Sequence, residues 1–173
     1  RHRLGDPDIV GDLHRLIAFD LDGTLIDSRQ DLADSANELL GEFGAAPLSV
    51  DAITRMVGEG ARVLVQRALA AAGLQEGPGA LPRFLEIYDT RLLNHTTVYD
   101  GVVDAVQIAR QHARVAVLTN KPAQPSERIL ERLGIRDLFD ELIGGDSPFG
   151  RKPDPAGLLA LMAGAGAAAD RTL

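Results

Sequence analysis

The sequence has no cysteine and no tryptophan. Without cysteine there are no disulfides and no thiolate metal site. A reducing compartment fits that absence, and the cytoplasm is the expected location. Aromatic residues are only 4% of the 173 positions, so the core must come from Leu, Val, Ile and Ala. The four histidines, His2, His14, His95 and His112, are scattered without ligand spacing, which argues against zinc. Basic charge is also scarce. Against 25 Asp and Glu stand 18 Lys and Arg, a net charge of −7. No basic stripe appears, so nucleic acid is not an expected partner. No apolar run approaches the ~20 residues of a membrane span, and the first 14 residues lack the apolar stretch of a signal peptide. No membrane partner is expected. Residues 1–14, with no initiating Met, read as a tail or an upstream remnant. The remaining length suffices for one domain with a real core, or a core with a small insert.

The most informative segment is Leu16-Ile17-Ala18-Phe19-Asp20-Leu21-Asp22-Gly23-Thr24-Leu25. A short apolar run ending in a turn signal reads as a strand buried on both faces, here Leu16 to Asp20. Side chains two apart on a strand point the same way. Asp20 and Asp22 therefore converge at the strand's carboxyl end, where two carboxylates repel each other. A hard divalent cation, Mg²⁺ above all, relieves that repulsion through oxygen ligands, with Asp20 and Asp22 as its candidate ligands. One carboxylate can then be a nucleophile and the other a proton carrier. A plain Asp-Gly turn is the alternative. It explains Gly23 but not two acids at the mouth of an apolar strand.

Residues from Arg29 to about Val98 read as helices only. Leu32, Ala36, Leu39 and Phe43 form one helical face, which Gly44 ends and Pro47 blocks. Ser49 is a good N-cap for a short helix carrying Ile53, Met56 and Val57. Ala61, Leu64, Val65, Ala68, Leu69 and Ala72 make a third face, closed by Gly73. Leu81, Phe84, Leu85, Tyr88 and Leu92 make a fourth. After Asp100-Gly101, Val102, Val106 and Ala109 mark a helix and Val115 to Thr119 a second buried strand. Pro125 opens a helix with Ile129, Leu130 and Leu133 inward. Leu142-Ile143-Gly144 is a third strand, and Pro155 opens a last helix with Leu158, Leu159 and Met162. The pattern predicts a Rossmann-like α/β fold with a parallel sheet and a helical insertion after the first strand. The core takes residues 15–28 and 99–173, and the insertion residues 29–98. Ligands in such sheets sit at the carboxyl ends of the strands.

Three further places can carry chemistry. Thr119 and Asn120 at the second strand's end offer a hydroxyl and an amide to phosphoryl oxygens, or form a turn with no ligand. Lys152, just before a proline-opened helix, can bring an ammonium to the strand ends, or be a solvated surface lysine. Gly58-Glu59-Gly60-Ala61-Arg62 exposes backbone N–H groups at a helix start. Glu59, Gly60 and Arg62 are candidate substrate contacts there, Arg62 through a bidentate grip on a carboxylate. A plain interhelical turn with a surface arginine explains the same residues.

Residues 16–25, Thr119-Asn120-Lys121-Pro122, and Lys152-Pro153-Asp154-Pro155 after Ile143-Gly144-Gly145-Asp146 resemble the first three motifs of the haloacid dehalogenase-like hydrolases. The resemblance runs from about Arg15 to Leu173, and Asn120-Lys121-Pro122 is similar to phosphoglycolate phosphatase-like members. It implies that Asp20 is a phosphoryl-accepting nucleophile and Asp22 the acid/base. It further implies that Asp20 gives the metal a side-chain oxygen and Asp22 its backbone carbonyl. Thr119 and Lys152 are the other catalytic residues, and Gly23, Thr24 and Asn120 belong to the substrate side. The helical insertion resembles the small cap of that superfamily. The implied activity is Mg²⁺-dependent hydrolysis of a small phosphorylated metabolite such as 2-phosphoglycolate. A phosphomutase, or an inactive fragment with a binding role, is the alternative. The fourth motif, an acidic Gly-Asp-x-x-x-Asp type loop, is absent. The sequence reaches Asp170-Arg171-Thr172-Leu173 where the strand before that loop is expected to begin. A truncated chain is therefore expected, its first strand with an open edge.

Overall fold

The structure, a computed structural model, describes residues 14–173. The expected tail lies outside the described residues, His14 excepted. In chain order the elements are β1 (Leu16–Phe19), β2 (Ile26–Asp27), α1 (Arg29–Glu42), α2 (Val50–Thr54), α3 (Ala61–Ala71), α4 (Ala80–Arg91), β3 (Thr97–Val98), α5 (Val102–Arg110), β4 (Arg114–Leu118), α6 (Ala123–Arg132), β5 (Glu141–Ile143) and α7 (Ala156–Ala165). Among the described residues no helix is long and apolar enough to cross a membrane.

The fold is α/β, as the sequence pattern predicts. The sheet is parallel in the order β1-β4-β5, with Ala18 opposite Ala116 and Val117 opposite Leu142. Alternation along β4 explains why both faces are covered. Val115 and Val117 enter a large cluster with Val106, Ile129 and Leu130, which continues through Leu39, Leu64 and Phe84 of the helical insertion. Ala116 faces the other way, into a smaller cluster with Leu16, Ile143 and Leu161. Small residues on that face let α7 approach closely. A Cβ on Gly157 would lie 3.0 Å from Leu118 Cδ1.

The insertion departs from a purely helical reading in one respect. Residues 97–98 form β3, antiparallel to β2, with Ile26 opposite Val98. Two-residue strands carry no period for a sequence to show. The pair joins the chain's two crossings between sheet and insertion. Buried Asp31 ties the same place. Its carboxylate accepts the main-chain N–H groups of His95 at 3.0 Å and Thr96 at 2.8 Å, and the Thr96 hydroxyl at 2.6 Å.

Most helix signals act as read. Ser49 Oγ accepts the Ala52 N–H at 3.2 Å and caps α2. Gly44, Gly73 and Gly134 follow α1, α3 and α6 with φ of +74°, +74° and +71°. The corrections are local. Phe43 caps α1 and is 46% exposed, while Ala33 and Leu40 complete the buried face. On α4 Ile87 is buried and Leu85 is at the surface. On α7 Leu161 is the buried leucine and Leu159 is exposed. On α4 and α7 a neighbour two positions away turns toward the core, because the packing direction is set by the partner helix or sheet. Pro125 needs no correction: α6 starts at Ala123, and Pro125 stands in its first turn, as the sequence reading has it.

The expected open edge of β1 is partly paired. Thr172 bridges Leu16 in parallel. The Leu173 N–H donates to Leu16 O at 2.9 Å, and the Ala18 N–H to Leu173 O at 2.7 Å.

Candidate active site

The first acids follow directly from the end of β1. Leu21, fully buried, drives its side chain into the core and leaves Asp20 and Asp22 on either side of it. The chain then turns sharply. Leu21 O accepts the N–H groups of Leu25 at 2.9 Å and Ile26 at 3.2 Å, and the Gly23 N–H donates to Ile26 O at 2.9 Å. Gly23 holds φ of +79° there, which favours glycine.

The two acids have different surroundings. Asp20 is partly open, and its Oδ1 lies 2.9 Å from Lys152 Nζ and accepts the Leu21 N–H at 2.8 Å. Asp22 is deeper. Its Oδ1 accepts Ser28 Oγ at 2.5 Å and Lys121 Nζ at 3.0 Å. Ser28 sits at the N-cap position of α1 without capping it. Its hydroxyl serves Asp22 instead.

Lys121 stands in the sequence motif, but no role attached to it there. Its ammonium is buried between Asp22 and Tyr88, whose hydroxyl accepts from Nζ at 2.8 Å. Burial alone favours the neutral amine, but the Asp22 carboxylate and the Tyr88 oxygen outweigh it and hold Lys121 above the ordinary lysine pKa. Burial pushes the Tyr88 phenol up, and the charge of Lys121 offsets that only in part. Both groups therefore stay protonated at neutral pH. Tyr88 had a sequence signal only as a core position, and Ser28 had none.

Thr119 follows β4 directly, buried, and its Oγ1 accepts the Lys121 N–H at 3.1 Å. Asn120 is placed at the cleft, but its amide is engaged elsewhere. Nδ2 donates to Gly58 O at 2.9 Å and Lys152 O at 3.1 Å, and Oδ1 accepts the Lys152 N–H at 2.8 Å. The expected substrate contact is thus a clamp that fixes Lys152 and touches the insertion. Space is tight here. A Cβ on Gly145 would lie 2.3 Å from Asn120 O, and one on Gly60 would lie 3.1 Å from the same oxygen. Asp146 Oδ1 accepts the Ala123 N–H at 2.8 Å, at the start of α6.

Asp20, Asp22, Thr119, Asn120 and Lys121 form the floor of a cleft of about 40 Å³. Val57, Gly58, Gly60, Leu64, Phe84, Leu85 and Tyr88 of the insertion stand over it. Five expected site residues lie outside this lining; Lys152 is one, held at the cleft by its contact with Asp20. Gly23 and Thr24 are in the exposed turn, and their N–H groups donate to Ile26 O and Leu21 O within it. Glu59 pairs with Arg67 at 2.5 Å, and Arg62 lies 3.9 Å from Glu76. Glu59 is thus paired on the insertion's own surface, and Arg62 has only a loose contact there, Glu76 accepting from Gln66 Nε2 at 2.7 Å.

Asp31, Asp34 and His95 also bring possible ligand atoms within 4.8 Å of one another. The Asp31 oxygens there already accept the N–H groups of residues 95 and 96.

A sheet whose strand ends carry two acids and a lysine, under a helical insertion, agrees with the comparisons. The model of the haloacid dehalogenase-like hydrolase family matches residues 17–173. The chain belongs to that family. It is 42% identical over 168 residues to a phosphoglycolate phosphatase of Rhodospirillum rubrum, covering 92% of this chain and 70% of that one. It is 40% identical to phosphoglycolate phosphatase 1 of Pseudomonas aeruginosa, covering 93% of this chain and 61% of that one. The crystal structure of a predicted phosphoglycolate phosphatase from Haemophilus somnus superposes with a TM-score of 0.83 at 32% identity, over 92% of this chain and 75% of that one.

Proposed function

We propose that this chain carries the reacting groups of a Mg²⁺-dependent phosphomonoester hydrolase for a small phosphorylated metabolite, 2-phosphoglycolate foremost. The observation that carries the reading is the Asp20–Lys152 contact of 2.9 Å at the mouth of the sheet. The names of the relatives from Rhodospirillum rubrum and Pseudomonas aeruginosa support the substrate class.

The donor set fits a hard divalent cation. The Asp20 carboxylate is partly open and offers oxygen, the ligand type a hard cation takes. The Asp20 side chain and the Asp22 main-chain carbonyl would hold Mg²⁺, which supplies positive charge to the phosphoryl oxygens. The chain's own residues do the rest. An Asp20 oxygen attacks phosphorus as the ester P–O bond breaks, and an aspartyl phosphate results. Asp22, which takes up a proton from solvent before the ester reacts, gives it to the departing alkoxide. Asp22 then takes a proton from a water that attacks phosphorus, the bond to Asp20 breaks, and inorganic phosphate leaves. Lys152 offsets the negative charge on Asp20 and the phosphoryl group throughout. Asn120 holds the Lys152 main chain, and Thr119 stands beside the same oxygens. Helices α1–α4 act as a cap that excludes water from the acyl phosphate, with the β2–β3 pair as its attachment.

The test is a panel of small phosphate esters given to the full-length protein, with Mg²⁺ and after chelation. Phosphate release from 2-phosphoglycolate that chelation removes is the expected result. Release from none of the esters would overturn the reading.

A further inference from the structure

Tyr88 belongs to the insertion, yet its hydroxyl reaches the floor of the cleft. It is buried on α4, with its ring stacked on Phe84 at 5.9 Å and 9°. Lys121 Nζ donates to Tyr88 Oη at 2.8 Å and to Asp22 Oδ1 at 3.0 Å, and lies 4.6 Å from the centre of the Tyr88 ring. Three groups from three elements thus meet: α4, the end of β4 and the end of β1. A lysine ammonium sits on a flexible four-carbon stem and has three donors to satisfy. Buried, it keeps one position only while its partners hold it. Asp22 and Tyr88 are those partners. The Ser28 hydroxyl, 2.5 Å from the same Asp22 oxygen, is the other constraint on the carboxylate.

We propose that Tyr88 is a positioning residue: through Lys121 it fixes the orientation of the Asp22 carboxylate, so that the helical insertion sets the geometry of proton transfer at the sheet. This rests on the reading of Asp22 as acid and base for a phosphate ester. The contact would give the cap a second task besides enclosure. When α4 is seated, Lys121 and Asp22 are aligned. When it is not, the ammonium loses one of its two acceptors and the carboxylate loses a defined rotamer.

Tyr88→Phe in the full-length protein is the test. It keeps the ring, its stacking and its contact with the ammonium, and removes only the hydroxyl. With an alkyl phosphate, kcat should fall about tenfold, part of the ~10²–10⁴ that acid–base catalysis contributes, with KM within about twofold. First-turnover release of an aryl leaving group, which needs no proton, should change by less than about twofold. In an Asp22→Asn background, Tyr88→Phe should add less than about twofold, because groups acting as one unit are not additive. Equal slowing of alkyl and aryl esters, or full additivity with Asp22→Asn, would overturn the inference and leave the phosphatase reading standing. No turnover by the wild-type protein on any ester would overturn both.

Discussion

The two walls of the cleft are built on different physics. On the sheet side each functional group is held by directed bonds. Asp20 meets Lys152, Asn120 clamps the Lys152 main chain, and Asp22 is fixed by Ser28 and Lys121. On the insertion side Leu64 and Phe84 are held by packing in the core cluster. The walls touch through polar groups at Gly58 O with Asn120 Nδ2 and at Tyr88 Oη with Lys121 Nζ. Apart from the Tyr88 hydroxyl, which joins the charged groups of the sheet, chemistry and enclosure are therefore separable. Substitutions in the sheet wall should change rate more than stability, and those of the packed apolar side chains in the insertion wall the reverse.

The sharpest way to break that division is Asp20→Asn. An amide is a poor nucleophile and a weaker metal ligand, so turnover of a good-leaving-group ester by the full-length protein should vanish while the melting temperature holds. Near wild-type steady-state rates would remove Asp20 from the nucleophile's place. Lys152→Ala should be next. Without the ammonium 2.9 Å from Asp20, the rate should fall about 10²-fold or more, as for other charge-stabilising donors. Thermal melts should move by only a few degrees. A loss of folding with unchanged specific activity would return Lys152 to a structural role.

Phe84→Ala probes the other wall. The side chain is 1% exposed and stacks on Tyr88. Its removal should destabilise by about 3–5 kcal/mol in denaturant unfolding. A loss of less than about 1 kcal/mol would show that the insertion repacks freely, and the comparison would fail on that side. The smallest effect is expected from Arg62→Ala. The side chain is 55% exposed and lies 3.9 Å from Glu76, outside the cleft lining. Stability should stay within about 0.5 kcal/mol, and KM for a carboxylate-bearing ester should not move. A large rise in KM would restore Arg62 as the carboxylate grip.

The cleft's position was legible in the sequence because strand ends and turns leave local marks. The apolar run ending at Asp20, the Gly23 turn and the proline-flanked Lys152 each carry their signal within a few residues. Asn120 shows the limit of such marks. Its place at the end of β4 follows from the pattern, but its partners, Gly58 and Lys152, are distant in the chain, and they make it a clamp. Glu59 and Arg62 show the limit at shorter range: their local context suggests an anion grip at a helix start, while Arg67 of the same helix lies against Glu59 and Glu76 of the following loop stands 3.9 Å from Arg62.

By itself the sequence determined the α/β class, the two acids at the end of β1, the lysine before α7 and the helical insertion. Hydrophobic period, turn chemistry and charge placement are local, and they act before the chain is compact. Only the tertiary structure decided that Lys121 lies buried between Asp22 and Tyr88, that Ser28 serves Asp22 rather than its helix, and that β2 and β3 join the chain's two crossings. The first and the last depend on groups far apart in the chain, the Ser28 contact on how the Gly23 turn brings the chain back to Asp22, and a buried ammonium settles only where folding brings a carboxylate and a second acceptor together.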